Sequence, residues 1–146
     1  MTPKEAYYKA YNLGLRIPEL EPVILKDALY SYLYAKDVIK GRFVLGEPII
    51  SQDTYYSYYY AKHVIKGRFI LGEAAISQDT FYSYWYALYV IKGRFILGEA
   101  AISQDTYYSY FYAIEVIKGR LPDLMHNQMI LNNNEYTKYY VKMLKY

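Results

Sequence analysis

The tetrapeptide Ile-Lys-Gly-Arg begins at Ile39, Ile65, Ile91 and Ile117, each 26 residues after the last, and Ser-Gln-Asp-Thr begins at Ser51, Ser77 and Ser103 with the same spacing. The stretch Val64 to Thr80 is identical to Val90 to Thr106. Self-similarity at a fixed period of roughly 20–50 residues marks a stack of supersecondary units, and it outranks any local reading. Shifted back by one period, the phrase around Arg42, Glu47, Pro48 and Asp53 falls on Arg16, Glu21, Pro22 and Asp27. Beyond Arg120 the phrase is lost, and "LPDLMHNQMILNNN" replaces it. End units have one neighbour instead of two, so they diverge into caps.

Within a unit, Asp79 is a natural N-cap before "TFYSYWYALYVIK", and Gly93 is a natural stop just after Lys92. Gly98 then precedes Glu-Ala-Ala-Ile, which fits a second, very short helical turn. Pro3 after Thr2, with Glu5 at capping-box spacing, starts an N-terminal helix. "NEYTKYYVKMLKY" reads as a final helix with Tyr136, Tyr140, Met143 and Leu144 along one face. So much Tyr, Ile and Val raises a strand alternative, which the copies themselves decide. The equivalents of Tyr82, Ser83, Tyr84, Tyr86, Ala87, Val90 and Ile91 are the same in all four copies. At helical spacing they cover an arc of roughly 200°, and the varying positions of Phe81, Trp85, Leu88 and Tyr89 share the remaining arc of about 100°. A two-residue period would scatter the varying positions over both faces. The expected fold is all-α: a right-handed α-solenoid of about four 26-residue repeats, each one long helix plus one short turn. It forms a single domain with an N-terminal cap over 1–20, repeats over 21–120 and a C-terminal cap over 121–146.

The constant arc is the one that must pack, with Ser and Ala letting neighbouring backbones approach; the varying arc is expected to face solvent. Copy by copy that ridge reads Leu29, Leu33, Lys36; Tyr55, Tyr59, Lys62; Phe81, Trp85, Leu88; Tyr107, Phe111, Ile114, flanked by Asp37, His63, Tyr89 and Glu115. Exposed, it would form an apolar patch of several hundred Å², more than monomers usually show, and rich in the residue types that dominate interface hot spots. Covered by a cap or by the short helices, the same stripe is ordinary core. The 23 tyrosines suit either arrangement only if each buried phenol finds a hydrogen-bond partner.

Arg16, Arg42, Arg68, Arg94 and Arg120 keep the 26-residue period, and the first four precede Glu21, Glu47, Glu73 and Glu99 by five residues. They read either as ion pairs within the repeats or as a phosphate-tracking ladder. Lys62, Lys66, Lys92 and Lys118 beside stackable aromatics would suit single-stranded nucleic acid. The net charge of +3 permits an anionic partner without demanding one.

Catalytic chemistry is not legible. His63 and His126 have no nucleophile paired with them in the sequence, the carboxylates are spread along the period rather than convergent, and no phosphate loop, zinc or calcium spacing occurs. With no cysteine there is no disulfide framework. The reading is of a non-enzymatic chain with no cofactor and no metal. No apolar leader or long apolar run is present, so the expectation is a soluble, cytoplasmic protein without membrane contact.

The phrase "YSYWYALYVIKGRFILGEAAISQD" resembles the short tandem repeats of the form Tyr-Ala-x-x-Val-Ile-Lys-Gly-Arg-Phe/Trp-x-x-x-Glu found in uncharacterised phage, large-virus and bacterial proteins. The match runs from about Glu21 to Arg120, and the architecture it implies is similar to that of leucine-rich-repeat-variant solenoids. The resemblance implies a binding scaffold, often viral, and a viral inhibitor of a host protein is one expectation it supports. The sequence leads to a protein partner bound through Tyr55, Tyr59, Phe81, Trp85, Leu88, Tyr89, Tyr107, Phe111 and Ile114. Alternatives are nucleic acid, a second copy of the chain buried on the same ridge, and a structural spacer.

Overall fold

A computed structural model describes residues Met1–Lys145. The Asp of each repeat starts a helix as its sequence demands. Asp27, Asp53, Asp79 and Asp105 accept from the backbone N–H of Tyr30, Tyr56, Tyr82 and Tyr108 at 2.9–3.1 Å, caps of about 1 kcal/mol each. The helices they open follow a capping-box helix, α1 (Pro3–Leu13). In order come α2 (Glu21–Ile24), α3 (Ala28–Leu33), α4 (Glu47–Ile50), α5 (Thr54–Tyr60), α6 (Glu73–Ile76), α7 (Thr80–Trp85), α8 (Glu99–Ile102), α9 (Thr106–Tyr112), α10 (Asp123–Asn132) and α11 (Glu135–Leu144). Among the described residues there is no strand. The fold is all-helical and repeat-built, a long helix alternating with a short one in the manner of a helical solenoid.

Each long helix finishes differently from the sequence expectation. α3, α5, α7 and α9 run directly into π-helical segments, Tyr34–Ile39, Ala61–Ile65, Tyr86–Ile91 and Ala113–Ile117. The left-handed residue that ends them is the lysine: Lys40, Lys66, Lys92 and Lys118 have φ of 57–60°. Gly93 was expected to be the stop, yet only Gly14 among the glycines takes a positive φ. The widened turn explains the shift. Lys66 and Gly67 both donate their N–H to the Ala61 carbonyl, five and six residues back, at 2.7 and 3.2 Å, and the lysine must turn left-handed to let the second bond form.

The chain divides into two compact units, one over Met1–Ala75 and one from Ile76 onward. In the first, α1 packs on α2 and α3, and α3 on α5. In the second, α7 packs on α8 and α9, and α9 on α10 and α11. The constant serines make these approaches possible. Ser31 and Ser57 donate to the last carbonyls of the preceding short helices, Ile24 and Ile50, and Ser83 and Ser109 do the same to Ile76 and Ile102. A short 3-10 turn leads into each short helix, and in the last three of the four it ends in a glycine with no room for a side chain: a Cβ on Gly98 would lie 2.6 Å from the Ser83 hydroxyl and from Phe95.

The C-terminal segment, expected only as a divergent cap, keeps this frame with other residues. Thr137 donates to the Met129 carbonyl, as Ser109 does to Ile102. Leu121 N–H donates to the Tyr140 phenol nineteen residues on, where Phe95 donates to Tyr112 seventeen residues on. Of the four residues expected along one face of α11, Tyr140 is buried, Tyr136 and Met143 are half-buried, and Leu144 is exposed.

Candidate binding surface

The varying ridge is not core. None of the nine candidate partner-binding residues is buried: Tyr55, Phe81, Tyr89 and Tyr107 are exposed, and Tyr59, Trp85, Leu88, Phe111 and Ile114 are half-buried. The i,i+4 spacing of a helix face brings the rings together in pairs. Tyr55 and Tyr59 lie 4.6 Å apart between centroids, Tyr107 and Phe111 4.8 Å, and Phe81 and Trp85 6.4 Å. Tyr59 in turn stacks on the His63 imidazole at 5.5 Å and 13°.

Nor is the ridge free of packing, as the sequence led us to expect. Phe81 meets Tyr108 of the next helix edge-on at 5.0 Å, and Tyr107 meets Tyr136 at 5.3 Å. Phe81 and Tyr107 thus contact the next helix while staying exposed, which holds the two rings in place.

Two exposed sets escaped the sequence reading. Tyr8 and Tyr11 of α1 and Tyr139 of α11 add exposed aromatics at the first and last helices of the chain. Tyr8 and Tyr11 fall out of register because α1 has no π segment: its cap N–H bonds to Ala10, which lies 25 rather than 26 residues before Ala35. The second set lies on three of the four 3-10 turns, as Val44–Leu45, Ile70–Leu71 and Ile96–Leu97; the first turn carries Pro18–Glu19 instead. Ile96 is 70% exposed against 46% for Phe81, although both residues of each pair sit in the part of the repeat that barely varies.

The arginine ladder is used internally. Arg16, Arg42, Arg68 and Arg94 bond to Glu21, Glu47, Glu73 and Glu99 at 2.7–2.9 Å, and Arg120 to Asp123 at 2.7 Å. These four glutamates are buried. A buried tyrosine completes the arrangement: the Tyr60 phenol donates to Glu47 at 2.5 Å and accepts from Phe43 N–H at 3.0 Å, and Tyr112 does the same with Glu99 and Phe95. Burial pushes the Glu47 carboxyl up, but the hydrogen bonds from Arg42 and Tyr60 outweigh it and hold the group below its ordinary value. At Tyr140 the carboxylate is replaced by His126, whose Nδ1 lies 2.6 Å from the phenol oxygen.

The lysines differ. Lys66, Lys92 and Lys118 are exposed and make no ion pair with any described residue. Lys62, also exposed, holds its ammonium 5.9 Å over the Tyr58 ring. Tyr32 and Tyr84 are pushed up to about 12, by burial first and then by Asp37 and Glu115 respectively. Among the described residues no three His, Cys, Asp or Glu side chains gather as metal ligands would, and no helix is long and apolar enough to cross a membrane.

A scan against protein-family models, a search of curated proteins and a search of solved structures each give no match to this chain.

Proposed function

We propose that the chain is a non-enzymatic scaffold that recognises another protein through its aromatic ridge. The observation that carries this reading is the paired rings left at least partly in solvent on the varying helix face of each unit: Tyr55 with Tyr59 in the first, and Phe81 with Trp85 and Tyr107 with Phe111 in the second. Rigid aromatic area loses little side-chain entropy on binding, which is why Trp and Tyr dominate hot spots. Variation among copies at these positions, against constancy on the packed arc, is what a surface shaped for one partner would produce. The resemblance of the repeat phrase to phage and viral repeats extends the proposal to an inhibitor of a host protein.

The test compares the native chain with the Phe81→Ser/Trp85→Ser variant as bait in nuclease-treated and untreated lysate. The captured proteins are then identified and their affinity is remeasured with purified components. The proposal expects a nuclease-resistant partner whose affinity falls at least tenfold in the variant, with the helical circular dichroism unchanged. Equal capture by both baits overturns it. Capture abolished by nuclease transfers the function to nucleic acid and the lysine set.

A further inference from the structure

We infer that the first unit carries a binding site for a small phosphate-type oxyanion, formed by Lys36, Lys40, His63 and Lys66 where two successive long helices end. These four side chains, with Gly41 and Val64, line one open cleft of about 260 Å³. That lies below the roughly 300–1,000 Å³ of pockets for drug-sized ligands, and its lining is mainly polar. No carboxylate lines it. The carboxylate next to it, Asp37, reaches the Lys36 ammonium only at 3.7 Å and also accepts from the Tyr7 phenol at 2.9 Å. Lys40 and Lys66 are the left-handed caps, fixed in backbone by their N–H bonds to Ala35 and Ala61 and without an ion pair among the described residues. Three lysines and a histidine thus border one space.

The competing explanation is that lysines sit there only to offset the carbonyl dipoles of helix C-termini. The second unit separates the two. The cleft lined by Leu88, Lys92, Gly93, Glu115, Val116 and Lys118 is the same place in the repeat, with the same cap lysines and the same carbonyls. There Leu88 stands for Lys36 and Glu115 for His63. Dipole compensation needs the two cap lysines, and both units have them. It does not need Lys36 and His63, which raise the formal charge of the first cleft by two over the second with His63 neutral, and by three with it protonated. The His63 imidazole is stacked on Tyr59, so its ring is oriented rather than free. Loss of hydration, then Lys62 and Lys36, pull its pKa below the ordinary value. A bound anion would reverse that pull.

The site is independent of the aromatic-ridge reading, and so is its test. Inorganic pyrophosphate is titrated into the full chain at constant ionic strength, with sodium chloride as the control, while calorimetry and the ring resonances of His63 and His126 are followed. The proposal expects saturable binding and an upward shift of the His63 titration midpoint, with His126 unmoved. The Lys36→Leu/His63→Glu variant installs residues that this chain already carries at the equivalent positions. It is expected to keep the native circular dichroism and to bind at least tenfold more weakly, about 1.4 kcal/mol. The reverse change, Leu88→Lys/Glu115→His, is expected to create a second site. Equal affinity of native chain and Lys36→Leu/His63→Glu variant, or equal responses of His63 and His126, overturns the inference. A ten-residue single-stranded oligonucleotide serves as the second ligand. If it binds and pyrophosphate does not, the cleft reads a polymer backbone and the small-anion assignment fails.

Discussion

Replacing Tyr60 by Phe removes one oxygen from the buried arrangement around Glu47 and leaves everything else in place. The ring is fully buried and packs on Phe69 at 4.9 Å between centroids, and a Phe ring keeps that packing. Two hydrogen bonds are lost: the donor to the ionised Glu47 at 2.5 Å and the acceptor for Phe43 N–H at 3.0 Å. A hydrogen bond to a charged group contributes about 1.5–3 kcal/mol, and a buried donor left without a partner costs about 1–3 kcal/mol. Phe43 is fully buried, so water cannot take the place of the phenol. Arg42 still holds the carboxylate from the exposed side with two bonds of 2.7 and 2.8 Å, which keeps the loss toward the lower part of the combined range. We expect about 3 kcal/mol in urea denaturation followed by circular dichroism, and faster hydrogen exchange at the Phe43 amide. Tyr34→Phe is the internal comparison. Its bond to Glu21 is 3.1 Å and its other partner, Ile17 N–H, is only half-buried, so its loss should be clearly smaller. A Tyr60→Phe loss under about 0.5 kcal/mol, or equal losses at the two sites, would refute the claim that burial of the carboxylate and amide sets the magnitude.

Acid should weaken the first unit through Glu47, whose carboxyl is held below its ordinary value in the fold. The stabilisation is therefore complete above the unfolded value of about 4.3 and lost as pH falls through the lower folded value. Glu47→Gln should flatten the acid limb of a stability–pH curve, and an unchanged limb would contradict the assignment. Gly98→Ala should destabilise by about 1–3 kcal/mol through overpacking, since the new methyl meets Ser83 and Phe95 at 2.6 Å. Gly93→Ala meets nothing closer than 3.8 Å and needs no positive φ. It should stabilise by about 0.4–1 kcal/mol, a difference in sign that thermal melts read directly.

The repeat period, the Asp caps, the short helices and the division of the long helix into packed and varying arcs were all legible, because each rests on residue types at fixed spacing. The π segments were not. Whether a helix closes its last turn on the fourth, fifth or sixth residue back depends on backbone geometry that Ala61 or Lys66 does not announce by type. Gly93 looked like the left-handed residue because glycine is the cheapest one for that conformation, whereas the hydrogen bonds to Ala87 place the turn one position earlier, at Lys92. The exposed Ile96–Leu97 pair was missed for another reason. Where two copies are identical over a whole stretch, as from Val64 to Thr80 and from Val90 to Thr106, constancy cannot separate a packed residue from an exposed one. Comparison among copies is informative only where copies differ, and that is why it found the ridge.

The same logic sets where recognition can reside. Each arginine charge is cancelled by a carboxylate three or five residues on, and the cap lysines recur in both units, so neither distinguishes one part of the surface from another. Beside the ring positions of Phe81 and Trp85, what distinguishes them is a pair of adjacent positions on the varying arc. In the first unit these hold Lys36–Asp37 and Lys62–His63; in the second, Leu88–Tyr89 and Ile114–Glu115. The first set presents polar groups, two lysines and a histidine with one acid, and the second apolar groups with one acid in the unit that holds the only tryptophan. Since the frame beneath is the same, exchanging these four pairs between the units would exchange their surface chemistry at little cost to the fold. Protein capture should then follow the apolar pairs and anion binding the cationic ones. Were both properties to stay with their original unit after the exchange, recognition would have to lie outside these pairs, in the unexchanged rings such as Phe81 and Trp85 or in the exposed Ile–Leu pairs.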